Sequence, residues 1–199
     1  MEWIEVNGVR LEIQKIPAPA GAPPRAPIVF LHEGLGSVAM WRARDGFWPA
    51  QVCEATGRAG VVYSRRGYGA SDPVPDVRGP SAERNGQRVG QLLPDYMHHE
   101  AWVVLPGLIH ALQLERPVLL GHSDGASIAL LHASRHPVAA CVVMAPHVKV
   151  EPISLQSIEQ ARVAFESGAL RQRLVRFHAD VDGAFWQWND VWLSPAFRS

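Results

Sequence analysis

With 199 residues, 47% of them apolar, the chain is long enough for one sizeable core and too hydrophobic to stay disordered. Lys plus Arg and Asp plus Glu both number 19, so the formal charge is zero. That leaves no excess of basic groups to hold nucleic acid or an anionic membrane. No apolar stretch approaches the ~20 residues that cross a bilayer, and the start, MEWIEVNGVR, lacks the basic and apolar regions of a secretory signal. Two cysteines, Cys53 and Cys141, make no disulfide framework, so a cytoplasmic location is expected.

Along the chain, WIEVNGVRLEIQKI reads as two strands around an Asn-Gly turn, and the proline-rich stretch 17–27 as a loop. IVFL (28–31), GVVYS (60–64), PVLLG (117–121) and ACVVMA (140–145) are short continuous apolar runs, as in strands covered on both faces; Cys141 is expected to be buried in the last. Residues 71–94, rich in Pro, Gly and charge, read as a long surface excursion. Residues 95–113 carry Met97, Ala101, Val104, Leu105, Leu108 and Leu112 at helical spacing, with Pro106 predicting a kink or break, and DGASIALLHASR (124–135) is a mostly apolar helix. This alternation predicts an α/β fold, a mainly parallel sheet with helices on both faces, over residues 1–150. From about 154 the strands stop. Leu155, Ile158, Ala161 and Phe165, then Leu170, Leu174 and Phe177, then Phe185, Trp188 and Trp192 mark three helices, giving a helical cap or lid segment over 151–199.

GHSDGA (121–126) joins the third apolar run to its helix. Gly-x-Ser-x-Gly in that setting makes a tight, strained turn that lifts the serine oxygen clear of the sheet; Gly121 and Gly125 stand where side chains would collide. Ser123 is the candidate nucleophile, beside a helix N-terminus whose free N–H groups favour an oxyanion. FLHEGLGS (30–37) and YSRRGYGASDP (63–73) follow the two preceding strands.

Together these three stretches resemble the α/β-hydrolase family, over about residues 1–150. Its His-Gly oxyanion loop corresponds to His32-Glu33 with Gly34 to Ser37. Its Asp-x-Arg-Gly-x-Gly-x-Ser motif corresponds to Ser64 through Ser71, with Ser64 at the aspartate, and Glu33 replaces a glycine. The resemblance implies an oxyanion hole from the backbone N–H groups of Asp124 and Gly34, with Leu35 the less favoured donor. It implies serine hydrolysis of an ester or related carbonyl substrate bearing an apolar moiety, without cofactor or metal.

In that family the acid and then the histidine of the triad follow later strands, and neither strand is recognisable before Ser199, so the core is expected to be truncated before its last two strands and turnover impaired. Within the chain, His147 reads as a loop histidine at the sheet rim. His122 reads as an elbow residue, His32 as a loop organiser, and His178 with Asp180 and Asp182 as a solvated turn. His98-His99-Glu100 lacks the further ligand a metal site needs. The aromatic group Phe185, Trp186, Trp188 and Trp192 suits an apolar lid over Ser123. The partner expected is a small-molecule substrate, with a homo-oligomer or a complementing C-terminal chain to complete the fold. The alternatives are a noncatalytic small-ligand-binding protein and a subunit completed by another chain.

Overall fold

The computed structural model describes residues 2–198. An antiparallel hairpin opens the chain, β1 (Glu2–Val6) and β2 (Val9–Ile16), turned by Asn7 and Gly8 at φ 52° and 75°. β3 (Ile28–Leu31) follows, then a 3-10 turn at Val38–Trp41 and a short ribbon, β4 (Arg42–Ala43) with β5 (Gly46–Phe47). α1 (Trp48–Thr56) leads to β6 (Gly60–Tyr63). A second ribbon, β7 (Ala82–Arg84) with β8 (Gln87–Val89), precedes α2 (Tyr96–His99) and α3 (Leu105–Ala111). Then come β9 (Val118–His122), α4 (Asp124–Ala133) and β10 (Ala140–Met144). The rest is helical: α5 (Pro152–Glu166), α6 (Ala169–Leu174), α7 (Val181–Leu193) and α8 (Pro195–Arg198).

Six strands form the main sheet in the order β1-β2-β6-β3-β9-β10, with β6, β3, β9 and β10 parallel. Side chains of a strand alternate between faces, and both faces are dressed. Val29, Leu31, Val61, Tyr63 and Leu119 pack with Leu105 and Leu108 of α3 and Ile128 and Ala129 of α4. Ile28, Phe30, Val62, Val118 and Leu120 pack with Cys53 of α1 and with Val38 and Phe47. Each such side chain, fully buried, contributes about 1.5–3 kcal/mol. A third cluster, Phe165, Leu174, Val181 and Phe185, joins α5, α6 and α7 and reaches Leu35 of the loop after β3.

Four sequence expectations change or are refined. β10 is an edge strand, so Cys141 is only half-buried and Val142 is exposed. The 71–94 excursion holds the β7–β8 hairpin, whose turn is Asn85-Gly86 at φ 52° and 72°. The helix over 95–113 does not stop at Pro106; its α-helical pattern breaks just ahead, at Glu100–Val104, whose π-helical turns carry α2 into α3 and leave Pro106 in the first turn of α3. α1 has no counterpart among the predicted helices.

Candidate active site

β9 ends at His122, and the chain turns at once into α4. Ser123 sits on that turn at φ 53°, ψ −118°, a conformation a non-glycine residue rarely adopts. Backbone packing enforces it. A Cβ on Gly121 would collide with the carbonyl of Gly125, and one on Gly125 with the carbonyl of Leu31. The N–H of Ser123 donates to the carbonyl of Met144 at the end of β10 (2.9 Å), locking the turn to the neighbouring strand.

Ser123 Oγ lies 2.9 Å from His147 Nε2. His147 is therefore not a bystander at the rim. The segment after β10 brings it beside the elbow, because β9 and β10 run in parallel register with Met144 opposite His122. Ser127, one turn along α4, fixes the histidine's main chain from both sides: its Oγ donates to the His147 carbonyl (2.9 Å) and accepts from the His147 N–H (2.8 Å). The imidazole meets the Trp192 ring edge-on, with centroids 4.8 Å apart. Among the described residues no carboxylate hydrogen-bonds the other ring nitrogen of His147.

The loop after β3 forms the facing wall. Arg65 N–H donates to His32 Nε2 (3.0 Å), so that nitrogen carries no proton and His32 Nδ1–H donates to the Glu33 carbonyl (2.7 Å). Burial and the Arg65 charge hold this ring well below the ordinary histidine value, hence neutral. The Arg65 guanidinium donates to the carbonyls of His32, Glu33 and Gly34 (3.1, 3.0 and 3.3 Å) and lies 3.8 Å from the Asp124 carboxylate. With those carbonyls held on the arginine side, loop and elbow are tied together. His32 is thus the loop organiser its position suggested.

Asp124, adjoining the nucleophile candidate, is buried and accepts from the Tyr96 hydroxyl (2.6 Å), which in turn accepts from the Trp192 indole (2.9 Å). Burial raises its carboxyl above the ordinary value against the pull of Arg65, Tyr96 and His147. As the first residue of α4 it has no helical acceptor for its N–H. Gly34 lies beneath the Trp188 indole, and a side chain there would strike that ring.

Ser123, His147, Gly34, Leu35, Asp124, His122, Glu33, Trp188 and Trp192 line one cavity of about 400 Å³, completed by Ile153, Ser154, Ser157 and Ile158 of α5. A second cavity, about 390 Å³, lies under the β7–β8 hairpin and contains no paired nucleophile and base. Of the other candidates, His178 departs from expectation. It is buried, accepting from Gly69 N–H at Nδ1 (3.0 Å) and facing the Leu35 carbonyl through Nε2 (3.0 Å). Asp180 caps α7 through Gly183 N–H, and Asp182 pairs with Arg171 at the surface. Glu100 accepts from the Tyr63 hydroxyl (2.8 Å), and His98 packs on Trp102. Phe185 stacks on Phe165 inside the third cluster and Trp186 lies under Arg78, so only two of the four aromatics in the lid group line the cavity.

Ser64, standing at the aspartate position of the motif, donates to Glu12 Oε2 (2.7 Å) and accepts from Val38 N–H (2.9 Å); Glu12 also accepts from Ala70 N–H (2.9 Å).

The profile of the alpha/beta hydrolase family matches residues 28–198, most of the chain and the helical segment included. The chain belongs to the alpha/beta hydrolase family. Solved structures agree on the alpha/beta hydrolase fold. A carboxylesterase of the thaumarchaeon Nitrososphaera gargenis is 18% identical over 84% of this chain and 54% of its own, with a TM-score of 0.59. Est816, described as an N-acyl homoserine lactone degrading enzyme, is 20% identical over 98% of this chain and 66% of its own, with a TM-score of 0.55. The enol-lactonase from Burkholderia xenovorans LB400 is 14% identical over 97% of this chain and 74% of its own, with a TM-score of 0.60. At such identities the likeness concerns the fold. The chain spans about half of the first structure and just under two thirds of the second. No curated protein matches the sequence. No helix among the described residues is long and apolar enough to cross a membrane.

Proposed function

We propose that the chain is a serine hydrolase acting on an ester or related carbonyl substrate with an apolar moiety. The observation that carries this reading is the 2.9 Å approach of Ser123 Oγ and His147 Nε2, on a strained turn that opens into a 400 Å³ cavity. His147 Nε2 takes the hydroxyl proton as Oγ bonds to the carbonyl carbon. The N–H groups of Gly34 and Asp124 receive the developing oxyanion. The intermediate collapses with loss of the alcohol, which receives the proton from His147. Water, deprotonated by the same ring, then releases the acid and frees Ser123. Trp188, Trp192 and Ile158 favour an apolar group beside the reacting carbonyl, with residues 151–199 acting as the lid.

The family resemblance placed the base outside the chain; His147 offers one within it. With no carboxylate orienting its second nitrogen, slow turnover is expected. Lactonase and carboxylesterase neighbours are compatible with carbonyl chemistry of this kind.

Hydrolysis of p-nitrophenyl butyrate and labelling by a fluorophosphonate probe test the reading. Ser123→Ala should abolish both, and His147→Ala should lower the rate about 10³-fold or more. Turnover surviving in Ser123→Ala would overturn it. Saturable binding of the ester without turnover in the parent chain would favour a ligand-binding protein instead. The unpaired outer edge of β10 suits a further strand from a second chain. Activity that appears only on adding such a chain would identify a subunit.

A further inference from the structure

The cavity above Ser123 carries an asymmetric charge. Among the described residues lining it there is no lysine or arginine, while Glu33 places a carboxylate there, about a third exposed, directly before Gly34. Its partner is His122, directly before Ser123, with Nδ1 3.6 Å from Glu33 Oε2. The two acid–base side chains therefore flank the two groups that would meet a substrate carbonyl, one on each wall. Arg65 offers no compensation to a bound molecule: it is buried behind the loop, held by three carbonyls and Asp124, and does not line the cavity. Asp124 turns its carboxylate toward Tyr96 and Arg65. His147 faces Ser123. The remaining lining is apolar or neutral.

We propose that Glu33 is a specificity-determining residue: its carboxylate, braced by His122, makes the cavity accept esters whose acyl chain is neutral or cationic and reject those bearing a carboxylate. The selectivity rests on Ser123 being the nucleophile, but the charge preference is a property of the cavity and can be read without turnover. An anionic group brought within 4–6 Å of Glu33 in a partly desolvated pocket meets unscreened repulsion, and a cationic one meets attraction. His122 offsets this only while protonated. It is held above the ordinary histidine value by Glu33, while burial of Glu33 is outweighed by His122 and Arg65, which keep its carboxyl ionised.

The test has a binding and a kinetic arm. Titrating the full chain with pentylammonium and with pentanoate at pH 8, and following the fluorescence of Trp188 and Trp192, should show at least a tenfold preference for the cation. Glu33→Gln should remove that preference. In the kinetic arm, the ratio of kcat/KM for the p-nitrophenyl ester of pentanoate to that of the glutarate monoester should exceed about tenfold in the parent and fall toward one in Glu33→Gln. Equal binding of both ions by the parent, or a preference unchanged in Glu33→Gln, would overturn the proposal. If no ester is turned over while the cation preference and its loss in Glu33→Gln are seen, the hydrolase reading fails and the charge selectivity stands.

Discussion

Ser127 holds the His147 main chain through two hydrogen bonds made by a single hydroxyl, one helical turn from Ser123. Without it the His147 main chain loses its only side-chain hydrogen bonds among the described residues. Ser127→Ala should therefore lower kcat about tenfold with KM little changed, because a displaced base affects proton transfer more than binding. Ser127→Thr keeps the hydroxyl and should restore most of the rate, which a purely structural role would not predict. Single-turnover release of p-nitrophenol from both variants measures it. At this scale the sequence was informative where chemistry is local. Gly121, Ser123 and Gly125 declare the turn because their neighbours exclude side chains. His147 was harder to recognise: its closeness to Ser123 depends on β10 lying in parallel register beside β9, a pairing 22 residues apart that no local pattern states. The clue available was its place just beyond an apolar strand run.

Among elements, the helix α7 carries the site tryptophans and starts at Asp180, whose carboxylate accepts from Gly183 N–H at 2.9 Å. Removing this cap in Asp180→Ala should cost about 1 kcal/mol and lower the melting temperature by roughly 2–4 °C, measured by circular dichroism. The buried strands were legible because β-branched and aromatic runs have few other uses. The β7–β8 hairpin was not, since Ala82–Arg84 is exposed and Gln87–Val89, only three residues long, is too short to show the alternation that marks a half-buried strand; only Asn85-Gly86 offered a signal. α1 is nine residues long with Pro49 in its first turn, too short for a clear period. The π-helical segment escaped for another reason. It interrupts the α-helical register ahead of Pro106, in the stretch where Glu100 meets Tyr63. Sequence spacing alone assumes a uniform 3.6-residue turn.

At the scale of the whole molecule, His178 joins three parts: the helical segment that carries it, the Gly69 turn after β6 and the Leu35 carbonyl of the oxyanion loop. Its Nδ1 accepts a hydrogen bond from Gly69 N–H, so the ring is neutral in the fold, and burial lowers its affinity for a proton despite help from the Leu35 carbonyl and from Glu33 and Glu12. The unfolded chain binds that proton near the ordinary value of 6.5. Stability from this residue is thus complete above that pH and is lost as the pH falls below it, by about 1.4 kcal/mol per pH unit until the folded ring titrates. His178→Gln, unable to titrate, should show a smaller loss of stability between pH 7.5 and 5.5 in urea unfolding; an equal loss would assign the acid sensitivity elsewhere. The mainly parallel sheet with helices on both faces followed from the rhythm of apolar runs. The partial exposure of the β10 side chains did not, because the run Ala140–Met144 is as hydrophobic as its covered neighbours.

Ser64 stands where the resembling motif has aspartate, and the hydrogen bonds around it show how the fold accommodates it. The family's motif draws its carboxylate from the β6 end of the turn. Here Glu12 sends one across from β2, reaching Ala70 N–H directly and Val38 N–H through the Ser64 hydroxyl. A carboxylate from a neighbouring strand thus serves the turn that follows β6. Lineages that carry serine at this junction should therefore be found with an acid on the adjoining hairpin, and those that keep the aspartate should be free to vary there.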